Sequence, residues 1–156
     1  MTTIHLPREA LAQIQHHGEE SYPEECCGFL IARDPMRVGS PVRAVDRVER
    51  AANRVEAERG RRFVIRPDEL MQLEQQLDGT NERVVGFYHS HPDHPARPSQ
   101  FDQEHAWPWY IYVVLSVAQG KAEDVAAFEL DPATREFAGL PLSLTGPEGL
   151  QELPSR

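Results

Sequence analysis

The chain has 156 residues, 40% of them hydrophobic, and a formal net charge of −9. Its length predicts one domain with a core of its own, no apolar run approaches the roughly 18 residues of a membrane span, and the acidic charge argues against nucleic-acid binding as the main function. The N-terminus lacks a signal-peptide pattern, and the two cysteines, Cys26 and Cys27, are adjacent. Because a disulfide framework needs spaced pairs, we expect a cytoplasmic protein in which Cys27 is a small buried residue.

The first part of the chain predicts one helix and two strands. The helix spans Leu6 to about Glu20, with a proline in its first turn and apolar residues at helical spacing. Cys27 to Arg33 is a compact apolar run that predicts a strand, and the alternating segment Val42 to Val48 predicts a half-exposed strand. Asp34 to Pro41, between the two, is turn-like because it contains proline and glycine.

The middle of the chain leads from a loop into a long apolar strand. Ala51 to Arg62 has little periodicity and four arginines, which is typical of a surface loop that carries function. Phe63 to Ile65 predicts a short strand, and Pro67 to Leu77 predicts a helix that is closed by a glycine. Arg83 to His91 predicts the next strand, in which Gly86 indicates close packing against another element.

The last third of the chain predicts one short helix and three strands. The helix spans Ser99 to Trp107. Tyr110 to Val117 is the strongest strand signal in the chain and should lie at the centre of the sheet. Val125 to Leu130 predicts another strand, and Arg135 to Leu144 predicts a last strand at the sheet edge.

Helices alternate irregularly with strands along the chain, which predicts the α/β or α+β class with a central mixed sheet. No internal repeat and no linker divides the sequence. We therefore expect a single domain over residues 1–145, followed by a loose tail over residues 146–156 that is rich in proline and glycine.

The most informative stretch is Val84 to Asp102. His89 and His91 end a predicted strand and are two residues apart, so their side chains point to the same face. Two imidazoles side by side suit a zinc ion. Ser99 and Asp102 meet three residues apart at a helix start, where Asp102 can supply a third, carboxylate ligand. Two histidines and one acid leave the fourth zinc position open for water, as in catalytic zinc sites.

Each part of this stretch also has a simpler interpretation. A strand that ends in His-Ser-His fits a polar strand end, and Ser99 with Asp102 fits a helix N-cap with an acidic first turn and no metal. His105, three residues after Asp102, is a rival ligand, whereas His94 is expected to be exposed. The combination of ligand types within one 14-residue span nevertheless favours a metal site.

Glu24 and Glu25 stand at the mouth of the strand that begins at Cys27. Two adjacent acids at this place also fit a solvated strand entrance. A zinc hydrolase, however, needs a base that deprotonates water and carries the proton to the leaving group. Only one of the pair need do so, and residue type alone leaves both open.

The spacing of these residues resembles a known family. His89-x-His91, seven residues, and Ser99-x-x-Asp102 resemble the H-x-H-x7-S-x-x-D motif of the JAMM (MPN-domain) zinc metalloproteases. The resemblance extends as a pattern of elements from about residue 4 to residue 130 and is closest to the short, single-domain prokaryotic members. It implies a cytidine-deaminase-like arrangement, with a central mixed sheet flanked by helices and zinc at one end.

An upstream segment carries a second part of the resemblance. Pro23, Glu25, Cys27 and Gly28 resemble the P-x-E-x-C-G context of the catalytic glutamate of the family. This match assigns the role of general base to Glu25, with Glu24 as the alternative.

The resemblance implies one Zn²⁺ per chain, held by His89, His91 and Asp102, with Glu25 as the base and Ser99 as a hydrogen-bond donor to the oxyanion. Family members cleave peptide or isopeptide bonds after the C-terminal glycine of ubiquitin-like proteins, and short prokaryotic relatives process sulfur-carrier proteins of the β-grasp fold. We therefore expect a zinc (iso)peptidase whose partner is such a protein ending in Gly-Gly, with neither a nucleic acid nor a membrane as partner. The alternatives are a non-catalytic MPN-type scaffold and a general zinc peptidase.

Overall fold

The computed structural model describes residues 2–33, 41–55, 58–60 and 62–154 of the chain. The helices are α1 (Arg8–Ser21), α2 (Pro67–Leu77) and α3 (Gln100–His105). The strands are β1 (Thr3–Pro7), β2 (Cys27–Arg33), β3 (Val42–Ala44), β4 (Arg47–Ala51), β5 (Glu82–Pro92), β6 (Ile111–Ala118), β7 (Lys121–Leu130), β8 (Phe137–Leu140), β9 (Leu142–Thr145) and β10 (Gln151–Glu152). Within the described part of the chain, no helix combines the length and the apolar character that a membrane span needs.

The larger sheet has six strands in the order β4-β2-β5-β6-β7-β8. Strands β5 and β6 pair in parallel at its centre, and the other neighbours are antiparallel. The expectation that Tyr110 to Val117 lies at the centre is confirmed, since the first seven residues of β6 are buried. The mixed α/β class is also confirmed. The cytidine-deaminase-like description is a loose comparison, because a second, four-stranded sheet accompanies the first.

The second sheet has the order β10-β9-β1-β3. The sequence interpretation missed its strand β1. Ile4 and Leu6 alternate with polar neighbours and are fully buried, so this segment is β1, and the predicted helix begins only at Arg8. Residues 146–154, which fall in the predicted tail, include the two-residue strand β10 paired with β9. The division of the chain into a domain and a tail stays a prediction.

Two segments that were each predicted as one strand divide between the sheets. Residues 42–48 split into β3 and β4 at Val45 and Asp46, where the Asp46 carboxylate accepts a hydrogen bond from the Arg33 N–H (2.6 Å). Residues 135–144 split into β8 and β9 at Pro141. The strand predicted at Phe63 to Ile65 is wrong, since these residues belong to neither sheet. Most of the predicted turn at residues 34–41 lies outside the described residues.

The six-stranded sheet separates two apolar clusters. On one face, Ala10, Leu11 and Ile14 of α1 pack with residues of the sheet such as Leu115. On the other face, α2 packs with Phe87 and Tyr112. The close packing expected at Gly86 is confirmed, because a Cβ atom there would overlap the backbone of Ile111 on β6. Since Phe87 points to the α2 face, the alternation of β5 sends the side chains of residues 89 and 91 to that face as well.

Candidate metal centre

The end of β5 holds both histidines of the motif inside the protein. His89 and His91 are 1% and 5% exposed, and their Nε2 atoms lie 3.1 Å apart. Between them, Ser90 points to the α1 face and is fully buried. The two-residue spacing on a strand thus places the two imidazoles side by side, as the sequence predicts.

Asp102 approaches the histidines from the first turn of α3. Its Oδ2 atom lies 3.0 Å from the Nε2 atoms of both His89 and His91. The same Oδ2 accepts a hydrogen bond from the Ser99 N–H (2.8 Å), and the Ser99 Oγ accepts one from the Asp102 N–H (3.1 Å). This reciprocal pair is a capping box. The helix-cap interpretation is therefore correct as a description of α3, and the cap itself turns Asp102 toward the histidines.

The three atoms form a nearly equilateral triangle with edges of 3.0, 3.0 and 3.1 Å. Tetrahedral zinc with bonds of about 2.0–2.1 Å separates its ligand atoms by about 3.3 Å, so little movement separates this triangle from a ligand set. His91 Nδ1 lies 3.0 Å from the Pro95 carbonyl oxygen, which can only accept. A neutral His91 ring therefore carries its proton on Nδ1 and has a lone pair on Nε2 for a metal, whereas the protonated ring donates from Nε2 to Asp102.

Two residues of the cluster, Asp102 and His89, have the protonation states of metal ligands. Burial raises the pKa of Asp102, but the charge of His89 and hydrogen bonds from both imidazoles and from Ser99 outweigh it and hold the pKa well below its usual range. Burial lowers the pKa of His89. Burial also acts to lower the pKa of His91, yet the bond to Asp102 raises it overall. Asp102 is thus an ionised carboxylate beside a neutral imidazole at His89, the protonation states in which these groups bind a divalent cation.

Glu25 completes the cluster, whereas Glu24 does not belong to it. Strands β2 and β5 pair Cys27 with His89, and continuing this antiparallel register by two residues sets Glu25 opposite His91. Glu25 is 3% exposed, and ligand-type atoms of Glu25, His89, His91 and Asp102 all lie within 4.8 Å of one another. The side chain of Glu24 is 52% exposed and faces Arg59 at the surface. Burial raises the pKa of Glu25 to about 8.

The residues that follow Glu25 are structural. Cys27 is fully buried, as expected, and burial raises the pKa of its thiol far above the ordinary value. A Cβ atom at Gly28 would overlap the ring of Tyr88, so only glycine fits next to that tyrosine. Gly28 thus allows close packing of β2 on β5, the Cys27 thiol lies 4.0 Å from the Ala51 carbonyl oxygen on β4, and neither residue belongs to the cluster.

Sequence reasoning missed several residues that hold the cluster. The Ser90 Oγ accepts a hydrogen bond from the Cys26 N–H (2.8 Å), which ties the residue after Glu25 to the histidine strand. The Phe63 ring stacks on His89, with centroids 4.3 Å apart. No local pattern marks either residue, because both contacts join segments that are distant in sequence. His105 is not in the cluster, and its Nδ1 donates to the Phe101 carbonyl oxygen (2.8 Å).

Two cavities flank the cluster. The first, named here the polar cleft, has a volume of about 820 Å³, and its wall includes Glu25, Arg62, His91, His94, Arg97 and Ser99. The second, named here the apolar groove, has a volume of about 540 Å³, and its wall includes Phe63, Ile65, Phe87, Phe101, Trp107 and Tyr112. His89 and Asp102 also line the apolar groove. Phe101 lines both cavities, and Arg62 covers its ring at 4.7 Å, so this pair stands between them.

Comparisons with known proteins agree with this architecture. The family model Prok-JAB, described as prokaryotic homologs of the JAB domain, matches residues 7–131. A protein of Haloferax volcanii named desampylase is 31% identical over 118 residues, which cover 72% of this chain and 80% of that protein. The solution structure of a protein from Salinibacter ruber is 37% identical, with a TM-score of 0.66 and coverage of 98% of this chain and 97% of that one.

A JAB1/MPN domain protein from Archaeoglobus fulgidus has a TM-score of 0.55 at 16% identity, with 94% of this chain and all of that one covered, and it supports the fold alone. The family model spans most of the chain, from α1 to the end of β7. The resemblance to the short prokaryotic JAMM (MPN-domain) proteins is therefore confirmed, and the chain belongs to the family of prokaryotic homologs of the JAB domain.

Proposed function

We propose that this protein is a zinc-dependent (iso)peptidase that hydrolyses the bond after the C-terminal glycine of a ubiquitin-like or sulfur-carrier protein. The observation that carries the proposal is the buried cluster of Glu25, His89, His91 and Asp102 at the junction of a polar cleft and an apolar groove. Membership of the JAB family and similarity to a protein named desampylase support it.

The residues present fit a zinc ion. Glu25 Oε1 and Asp102 Oδ1 are buried and have no hydrogen-bond partner among the described residues. Such atoms are costly to bury, and a cation in the cluster would offset that cost. We assign one Zn²⁺ per chain to His89, His91 and Asp102. When bound, zinc lowers the pKa of a coordinated water toward ~7 and polarises the scissile carbonyl.

Glu25 is the general base in this proposal. Its carboxylate lies on the wall of the polar cleft, where it can accept a proton from the attacking water and pass it to the leaving nitrogen. Burial raises the pKa of Glu25, so its carboxylate is a stronger base than an exposed glutamate. A non-catalytic scaffold has no use for a buried carboxylate without a partner, which argues against that alternative.

Ser99 can serve as cap and as oxyanion donor at once. A hydroxyl offers one O–H donor and two lone pairs. The Ser99 Oγ uses a lone pair to accept from the Asp102 N–H, and no hydrogen bond among the described residues uses its O–H. Because Ser99 also lines the polar cleft, its O–H can donate to the substrate carbonyl oxygen as that oxygen becomes negative.

The two cavities suggest how a substrate tail lies in the site. Glu25 lines the polar cleft and does not line the apolar groove, so the leaving amine belongs in the polar cleft. The acyl side of the tail then lies in the apolar groove. Between the cavities, the chain passes the rings of Phe63 and Phe101, where residues without a side chain approach the cluster most closely. A tail ending in Gly-Gly meets this requirement.

The test uses a β-grasp protein that ends in Gly-Gly, followed either by a short peptide or by an isopeptide link to lysine. Mass spectrometry should find a product that ends at the second glycine. Glu25→Gln should keep zinc and lose turnover by on the order of 10²–10⁴-fold. Glu24→Gln is the matched control, since that side chain points to solvent. An inactive Glu24→Gln beside an active Glu25→Gln would move the base by one residue.

Zinc content is measured on the same preparations. The purified protein should carry about one zinc per chain, and His89→Ala or Asp102→Ala should lose it. His105→Ala, which removes an exposed imidazole from α3, should retain it. Full retention of zinc in the His89→Ala/Asp102→Ala double variant would refute the assigned ligand set. Equal turnover of unstructured peptides without glycine would reduce the proposal to a general zinc peptidase.

A further inference from the structure

Asn53 lies in the loop between β4 and α2, and its side chain makes four hydrogen bonds. Its Nδ2 donates to the carbonyl oxygens of Glu25 (3.2 Å) and Arg62 (2.9 Å). Its Oδ1 accepts from the backbone N–H groups of Val55 (3.1 Å) and Val64 (3.1 Å). A primary amide has two donors and one oxygen with two lone pairs, so every position on this amide is used.

This pattern fixes both the identity and the orientation of the side chain. A flipped amide would point its NH₂ group at two N–H donors, and its oxygen at two carbonyl oxygens. Aspartate has the same size but no donor, and glutamine is longer by one methylene. Asn53 is therefore the residue whose groups match the two donors and two acceptors that face it.

The hydrogen bonds of Asn53 join the base to the walls of both cavities. The backbone of Glu25 is held on its other side by the bond from its N–H to the Arg59 carbonyl oxygen (2.7 Å), which belongs to the same loop. Residues 62–64, which Asn53 also holds, carry Arg62 over Phe101 and Phe63 over His89. The Asn53 side chain thus connects the Glu25 peptide with the segment that carries Phe63, whose ring covers His89.

We propose that Asn53 is a positioning residue that sets the backbone of Glu25 and the loop over the cluster relative to each other. This inference rests on the proposed function, since it deepens the same site. The four hydrogen bonds of Asn53 include none to the ligand side chains or to the Glu25 carboxylate, so it acts through the Glu25 carbonyl and the 62–64 segment. Displacing a catalytic group by about 1 Å can lower turnover by about 100-fold, which is the scale that such a residue controls.

The sharpest variant is Asn53→Asp, because it keeps the size and the two acceptor contacts while replacing both donors by an oxygen that faces two carbonyl oxygens. We expect kcat on the Gly-Gly substrate to fall by about 10- to 100-fold, with zinc content unchanged. Asn81→Asp makes the same chemical change at an exposed turn before β5 and should keep wild-type values. Asn53→Ser, which adds no charge, replaces the aspartate variant if that variant does not fold.

A double-mutant cycle separates positioning from a general structural role. If Asn53 acts through Glu25, Asn53→Asp should lower single-turnover rates less than threefold when added to Glu25→Gln. The proposal would be overturned if Asn53→Asp lowered the single-turnover rate by the same factor in the wild-type protein and in Glu25→Gln. It would also be overturned if the loss of rate were matched by a loss of zinc or of folded protein. Wild-type kcat in Asn53→Asp would overturn it as well.

Hydrogen exchange on the wild-type protein tests the network without any substrate. The N–H groups of Val55 and Val64 should exchange slowly, because Asn53 Oδ1 accepts from both. Fast exchange at both sites would show that the network is not maintained and would overturn the inference. Since this measurement needs no turnover, it remains decisive even if no Gly-Gly protein is cleaved and the proposed function fails.

Discussion

Phe63 stacks on His89, with ring centroids 4.3 Å apart and planes inclined by 22°. The stack covers one face of an imidazole whose Nδ1 has no hydrogen-bond partner among the described residues. An apolar ring in this position limits access of water to the ligand and restricts its orientation. We therefore predict that Phe63 helps to retain the proposed zinc ion without being a ligand.

Replacing Phe63 by alanine should weaken zinc retention by about 10- to 100-fold, as loss of an outer contact to a metal ligand typically does. The measurement is the rate and midpoint of zinc transfer to a chelator at pH 7. Phe63→Leu should lie between alanine and wild type, because it restores apolar cover without the flat stack. Phe137→Ala, at a half-buried phenylalanine on β8, is the control. Equal transfer in Phe63→Ala and Phe137→Ala would contradict the role.

Ser99 has two proposed roles that glycine can separate. Ser→Ala at an N-cap lowers the free energy of unfolding by about 0.5–2 kcal/mol, whereas Ser→Gly lowers it by only a few tenths. Both substitutions remove the hydroxyl and should reduce turnover by roughly 10²–10³-fold. Turnover and urea unfolding are measured on the same samples. If turnover follows stability, so that Ser99→Gly is nearly as active as wild type, Ser99 is a cap alone.

The positions of the cluster residues were largely predictable because their spacing reflects local geometry. A two-residue spacing on β5 places His89 and His91 on one face, and a three-residue spacing in the first turn of α3 joins Ser99 to Asp102. Both relations hold wherever such elements form. The resemblance favoured Glu25 over Glu24, and the register of β2 against β5 explains why Glu25 lies in the cluster.

The missed features depend on partners that are distant in sequence. The alternation of residues 42–48 breaks at Ala44 and Val45, where two apolar residues are adjacent, but membership in one sheet or the other depends on β1 and β2, which no local pattern reveals. Phe63 resembles a strand residue because it is apolar and has apolar neighbours, but its partner is His89, which lies 26 positions away. Asn53 likewise resembles an ordinary loop residue until its four partners are known.

His17, on the opposite face of the sheet, should make stability depend on pH. Its Nδ1 and the Tyr88 hydroxyl lie 2.7 Å apart in a hydrogen bond, and burial, assisted by the charge of Arg50, lowers its pKa to about 4. In the unfolded chain the pKa is about 6.5. Between these values the unfolded state binds a proton that the folded state does not, so stability falls as pH decreases from about 6.5 to about 4.

This contribution to the slope is at most about 1.4 kcal/mol per pH unit. Urea unfolding at pH 7 and pH 5 should show a larger loss of stability in the wild-type protein than in His17→Gln, which cannot titrate. His16→Gln, at a neighbouring imidazole that is 71% exposed, should behave as wild type does. The same loss between the two pH values in wild type and His17→Gln would exclude His17 as the source.

The substrate prediction concerns the second glycine of the tail. In the proposed binding mode, the scissile peptide reaches the cluster beside Phe63 and Phe101, so we expect these rings to crowd any side chain on the acyl residue. Replacing the second glycine by alanine should reduce turnover, and replacing it by leucine should abolish it. Binding should weaken far less, since the folded part of the partner and the rest of the tail keep their contacts. Binding is measured with Glu25→Gln and turnover with wild type, on the same substrate series. Loss of binding in parallel with turnover would show that the glycine serves recognition rather than access to the reacting position.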